Sequence, residues 1–98
     1  MTAPTKPIQL SAQSQALRRR LFDLVRAVPR GQTTTYQILA QKLGTHPRVV
    51  GMLLHTNTDP VAVPCHRVIK SNGKLAKGYA FGGPTKQLEK LSNEGVVF

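Results

Sequence analysis

The stretch TTYQILAQKLGTHPRVVGMLLHTN, residues 34–57, constrains this chain more than any other. It holds two apolar-periodic runs split by Gly44 and Pro47. Helices this short are marginal alone in water and hold only when packed against neighbours. Thr34 or Thr35 caps a predicted helix over about Tyr36 to Leu43, with Ile38, Leu39 and Leu43 inward and Gly44 ending it. Thr45 is the expected cap of the next helix, with Pro47 in its first turn and Val49, Val50, Leu53 and Leu54 inward. Two short helices joined by a glycine-containing turn outline a helix-turn-helix, whose second helix would present His46 and Arg48 at its start. A plain helical hairpin with no nucleic-acid role fits the same pattern.

The remaining elements follow from the same signals. Residues 1–10 contain two prolines and read as a flexible leader, leaving residues 11–98 as one domain. From Ser11 to Val28, Ala16, Leu17, Leu21, Phe22, Val25 and Val28 recur at helical spacing, with Ser11 or Ser14 as cap and Pro29 as stop. Arg18, Arg19, Arg20 and Arg26 read as the solvated face of this helix. Residues 57–64, NTDPVAVP, form a connector, and HRVIK, residues 66–70, reads as a short strand. SNGK, residues 71–74, is a tight-turn signal that implies a hairpin. A glycine-rich loop over residues 77–86 leads to a last helix over about 84–93, with Leu88 and Leu91 inward and Gly95 terminating it. The expected fold is mostly α with a small β-hairpin.

Charge narrows the partner. Lysine and arginine number 14 against 4 acidic residues, a formal charge of +10 on 98 residues. Such an excess favours a polyanion, most often nucleic acid. No apolar run approaches the roughly 20 residues that span a bilayer, and the first residues lack the apolar core of a signal peptide, so no membrane partner is expected. A single cysteine cannot form an internal disulfide, which points to a reducing interior.

That cysteine sits in PCHRV, residues 64–68. Metal binding is the weakest of its readings: there is no second cysteine, and His46, His55 and His66 lack finger-like spacing. An inert buried thiol is the default for a lone cysteine. A nucleophile needs the thiolate, which basic neighbours favour, and here His66 and Arg67 follow directly. Adjacent strand residues point to opposite faces, so a Cys-His pair at this spacing needs a kink from Pro64 or an intervening water. The residues alone leave both thiol readings open.

PCHRVI, with NTDP before it, GKLAKGYAFGG after it, TTTYQILA upstream and NEG near the end, resembles the active-site domain of the O6-alkylguanine-DNA alkyltransferases. The resemblance implies a winged-helix-like helix-turn-helix domain, monomeric, with no bound cofactor, acting where the DNA is, in the cytoplasm or the nucleus. It implies duplex DNA containing O6-alkylguanine as partner and irreversible transfer of the alkyl group to Cys65. His66 would take the thiol proton through a water, Glu94 would orient His66, and Asn57 would support the connector. Tyr36 would press on the rotated nucleotide, and Arg48 would fill the gap in the stack, with Val49, Gly51 and Met52 alongside. Tyr36, Val68, Tyr79 and Ala80 would line the pocket. The chain is also similar to the alkyltransferase-like proteins, which consist of this domain without the family's N-terminal domain. They bind the lesion without repairing it, hand it to excision-repair proteins, and usually lack the cysteine. The sequence departs from the family in a shorter GTHPR turn and a longer GYAFGG loop.

Overall fold

The computed structural model describes residues 11–96. The expected leader over residues 1–10 and the last two residues of the expected domain therefore lie outside the described residues. Ser11 caps the first helix, α1 (Ala12–Arg26), its hydroxyl accepting from the Ser14 backbone N–H. A two-residue strand, β1 (Thr34–Thr35), runs straight into α2 (Tyr36–Leu43). The Thr35 hydroxyl caps α2 by accepting from the Ile38 N–H at 3.0 Å. Gly44 ends α2 with φ +68, a left-handed conformation that favours glycine. After two residues the chain enters α3 (Pro47–Leu54).

The connector then tightens into a single 3₁₀ turn, Cys65–Arg67, followed by β2 (Val68–Ile69). A loop leads to α4 (Gly83–Asn93). Gly82 enters that helix at φ +117, where a Cβ would stand 2.3 Å from the Lys86 Cγ. Among the described residues, no helix is long and apolar enough to cross a membrane.

The core joins the first three helices to the connector and the 3₁₀ turn. Leu21, Phe22 and Val25 of α1 meet Leu39, Ala40 and Leu43 of α2 and Val50, Leu53 and Leu54 of α3. Val63, Cys65, Val68 and Tyr79 close the cluster from the other side. Each fully buried aliphatic side chain contributes about 1.5–3 kcal/mol, which is what holds helices too short to stand alone.

The mostly helical architecture with a small sheet agrees with the sequence reading, and several details differ. The sheet is not a hairpin: β1 and β2 pair in parallel, Thr34 with Val68 and Thr35 with Ile69. The turn at 70–74 does form, with the Lys70 N–H on the Lys74 carbonyl at 3.0 Å. No strand follows it; Lys74 leads into irregular loop, and β2 takes its partner from the start of the helix-turn-helix. The strand expected over 66–70 shortens because the 3₁₀ turn takes up His66 and Arg67. Thr45 does not cap α3. His46 does, its Nδ1 accepting from the Arg48 N–H at 3.0 Å. Ile38 and Leu88 are 42% and 39% exposed, because Ala40 and Gln87 take the inward positions beside Leu39 and Leu91. Arg18 is not a free surface charge. It donates to the Thr56 hydroxyl and carbonyl at 2.6 and 3.0 Å and lies over the Phe22 ring, tying α1 to the end of α3.

Candidate active site

The site forms where the 3₁₀ turn meets α2, α3 and the glycine-rich loop. Pro64 and the turn put Cys65 at the inner edge of the connector, its N–H on the Val63 carbonyl at 2.8 Å. Only 4% of the residue is exposed. Its sulfur faces a cavity of about 730 Å³, a size typical of small-molecule sites. Tyr36 and Ala40 of α2, Arg48, Gly51 and Met52 of α3, and Tyr79 and Ala80 of the loop also line it. Lys70 and Lys77 add positive charge at its wall, and no carboxylate lines it among the described residues.

Asn57 reaches the sulfur from the connector. Its Nδ2 donates to the Val63 carbonyl at 2.9 Å and lies 3.5 Å from Cys65 Sγ, and its Oδ1 accepts from the Asp59 N–H at 3.0 Å. Burial pushes the Cys65 thiol up from its ordinary value, while the Asn57 donor and the positive charge of Lys90 pull the other way. Tyr36 is also pushed up, first by burial and then by the nearby sulfur.

His66 turns away from the cavity toward α4. Glu94 Oε1 lies 3.1 Å from its Nε2, in a contact bent off the ring N–H direction. Neither ring nitrogen has an aligned hydrogen-bond partner among the described residues. Burial holds His66 below its ordinary value, and the charges of Arg67 and Lys90 add to this, against the pull of Glu94. The imidazole is therefore neutral near pH 7. Glu94 itself is held at about 2, chiefly by Arg67. The Arg67 Nε donates to Oε1 and Oε2 at 3.0 and 3.2 Å, its Nη2 donates to Oε2, and its Nη1 reaches the Val28 carbonyl at 2.9 Å.

The structure thus brings Cys65, Tyr36, Arg48, Gly51, Met52, Tyr79 and Ala80 around one cavity, with Asn57 buried against the sulfur outside the cavity wall and His66 and Glu94 behind the turn. Two residues fall elsewhere. Val68 is fully buried in the core and does not line the cavity, since the parallel pairing with Thr34 covers it. Val49 packs against the core from α3 and is likewise absent from the cavity wall. At Gly51 a Cβ would stand 4.0 Å from the Tyr36 ring, an ordinary contact, so the fold itself does not require glycine there.

Sequence reasoning missed three residues. Arg67 clamps Glu94. Gln87, fully buried, donates from Nε2 to the His66 and Val68 carbonyls at 3.0 and 2.8 Å and accepts from the Ala76 N–H at 2.8 Å. A signal for it existed: Gln87, Leu91 and Glu94 share one helical face, so a polar side chain lies on the inward stripe. The third is Lys90, which donates to the Tyr79 hydroxyl at 2.9 Å. Among the described residues, no group of three or more potential ligands is gathered to hold a metal ion.

Comparison with known proteins gives this arrangement a family. The model described as 6-O-methylguanine DNA methyltransferase, DNA binding domain, matches residues 16–96. The chain belongs to that family. Within it, the methylated-DNA–protein-cysteine methyltransferase of Pyrobaculum aerophilum is 46% identical over 79 residues, covering 81% of this chain and 51% of the relative. The chain spans about half the length of the curated methyltransferases it matches. Two solved structures share the methyltransferase-domain fold. One is S. pombe Atl1 in complex with damaged DNA containing O6-carboxymethylguanine, at TM-score 0.75 and 30% identity, covering 85% of this chain and 79% of that one. The other is Mycobacterium tuberculosis OGT in complex with DNA, at TM-score 0.72 and 30% identity, covering 89% and 51%.

Proposed function

We propose that this chain repairs alkylated DNA. An O6-alkylguanine nucleotide, rotated out of the duplex, enters the cavity, and its alkyl group passes irreversibly to Cys65. The observation that carries the reading is a cavity of roughly 730 Å³ lined both by Cys65 and by the start of α3 with Arg48. An alkyl carbon on O6 lies inside the stack, so the nucleotide must leave it to meet a thiol so placed. Arg48, exposed at the cavity edge, would occupy the vacated space, and Tyr36, which also lines the cavity, would contact the base. The surrounding positive charge suits the phosphates.

In the transfer, the bond from Cys65 Sγ to the alkyl carbon forms as the carbon–O6 bond breaks. The bonding pair stays with the guanine, which takes up a proton. Because burial keeps the thiol protonated, a base must remove its proton. His66 is held neutral, with an unpartnered Nδ1, and suits that role through one water. Glu94 orients the ring and is itself fixed by Arg67. The thioether product is a poor leaving group, so each molecule acts once.

A second reading has one observation in its favour: a thiol 4% exposed and raised by burial also fits an unreactive group. The chain would then be a lesion sensor that holds the rotated nucleotide and directs it to excision-repair proteins. Intact mass after incubation with duplex DNA containing O6-methylguanine separates the two. Transfer gives a gain of one methyl group, roughly 14 Da, that Cys65→Ala lacks, as expected for a single thiolate nucleophile. Tight binding with no gain favours the sensor, and equal binding of damaged and undamaged duplex removes both.

A further inference from the structure

Lys90 is a half-buried cation on α4 with no carboxylate partner among the described residues. Glu89 beside it pairs with Lys86, and Glu94 one turn on is taken by Arg67 and His66. Lys90 is instead held by aromatic groups. Its Nζ donates to the Tyr79 hydroxyl at 2.9 Å and lies 5.5 and 5.8 Å from the Tyr79 and Phe81 ring centres. Those rings meet edge to face at 5.9 Å, which fixes the cradle. Aromatic faces offset part of the cost of withdrawing an ammonium from water, and an anion would offset more. Tyr79 and Cys65 line the same cavity, so a single aromatic side chain connects the ammonium to the space in which an anion would form on the sulfur.

Around that sulfur, Asn57 of the connector lies 3.5 Å away, Tyr36 of α2 and Tyr79 of the loop line the same cavity together with the cations Arg48, Lys70 and Lys77, His66 of the turn is directed toward α4, and Lys90 of α4 stands behind Tyr79. Of these cations Lys90 is, among the described residues, the one whose charged end is fixed by a bond to the cavity wall, and its charge favours the thiolate. We propose that the Lys90 ammonium, positioned by Tyr79 and Phe81, is the countercharge of the Cys65 thiolate. It does not touch the reacting atoms and is a positioning residue. The same charge disfavours an imidazolium at His66. Lys90 thus favours one arrangement, thiolate with neutral imidazole, the thiol proton having passed through a water and His66 to solvent. This rests on Cys65 being the nucleophile of the proposed reaction, but its test needs no DNA.

The full chain is treated with iodoacetamide across about pH 6 to 10, the range over which thiols titrate. Sulfur attacks carbon, iodide leaves, and the thiol proton goes to buffer. The rate against pH gives the thiol midpoint for wild type, Lys90→Met and Lys90→Arg, with thermal midpoints measured alongside. The methionine variant is expected to shift the thiol midpoint up by about half a pH unit or more, and arginine to hold it near wild type. A purely structural role would move the thermal midpoint and leave the titration in place, and that result overturns the proposal. Should Lys90→Met not fold, the coupling is read from the other side. The Lys90 Nζ midpoint, followed by NMR, is expected to fall in Cys65→Ser because removing the thiolate removes what stabilises the ammonium. An unchanged Lys90 midpoint overturns the proposal equally. If no methyl transfer from DNA occurs yet the titration shifts as expected, the repair reading fails and the charge coupling stands.

Discussion

Asn57 does two jobs with one amide. Its Nδ2 holds the Val63 carbonyl and faces the Cys65 sulfur, while its Oδ1 holds the Asp59 N–H, so one side chain shapes the connector and favours the thiolate. Asn57→Ala should lower stability by about 1–2 kcal/mol in urea denaturation, since buried groups lose their partners. It should also raise the pH midpoint of Cys65 alkylation, because the donor opposing burial is gone. A stability loss with no shift of that midpoint would confine Asn57 to the connector. At this scale the sequence was informative where chemistry is rare. A lone cysteine in PCHRV and an asparagine before Asp-Pro stand out in a chain of common residues. Lys90 did not, and Arg67 stood out only as a basic neighbour of the thiol, because packing alone decides which carboxylate a lysine or arginine meets. Glu94 is taken by Arg67 and thereby denied to Lys90.

Secondary structure was legible wherever a short segment settles it. The helical periods, the Ser11 cap, the Gly44 stop and the first-turn Pro47 all act within a few residues of their own position. The partner of β2 was not legible, because a two-residue strand carries no period and its parallel mate lies before α2, far off in sequence. The α3 cap also escaped, since serine, threonine, asparagine and aspartate are the usual caps and Thr45 stood next to the true one. Here His46 accepts from the Arg48 N–H through Nδ1, which requires that nitrogen unprotonated and ties the cap to the very residue at the cavity edge. His46→Ala is expected to lose about 1 kcal/mol of stability, and His46→Asn to recover most of it, because asparagine offers an acceptor at the same place. Urea denaturation of the three proteins measures the loss, and amide exchange at Arg48 should quicken in the alanine variant alone. Equal stability of all three would mean that Pro47 by itself organises the first turn.

At the scale of the whole molecule, one carboxylate joins parts of the chain that the hydrophobic cluster leaves loosely connected. Glu94 lies at the end of α4, Arg67 in the 3₁₀ turn, and Val28 just beyond α1, and the Arg67 guanidinium bonds the other two. Arg30 repeats the connection by donating to the Asn93 carbonyl at 3.0 Å. Sequence could place Glu94 on the inward side of α4 but not name this partner, because Arg67 lies 27 residues away on a different element. The carboxyl is held at about 2 against an ordinary 4.5. A carboxyl whose folded value is depressed stabilises the fold above the unfolded value and loses that contribution as pH falls toward the folded one. The contribution should therefore be complete above pH 4.5 and gone near pH 2. Its size is on the order of 2–3 kcal/mol, allowing for the neighbouring His66, which shares the same carboxylate. Urea denaturation between pH 7 and the acid limit should show wild type falling steeply through this window. Glu94→Gln should start lower and fall less, so that the two curves converge as the wild-type carboxyl takes its proton. Parallel curves would place the acid sensitivity in the other carboxylates, Asp23, Asp59 and Glu89, and would leave Arg67 as a hydrogen-bonding strut to Val28 whose charge contributes nothing to holding α4 against the 3₁₀ turn.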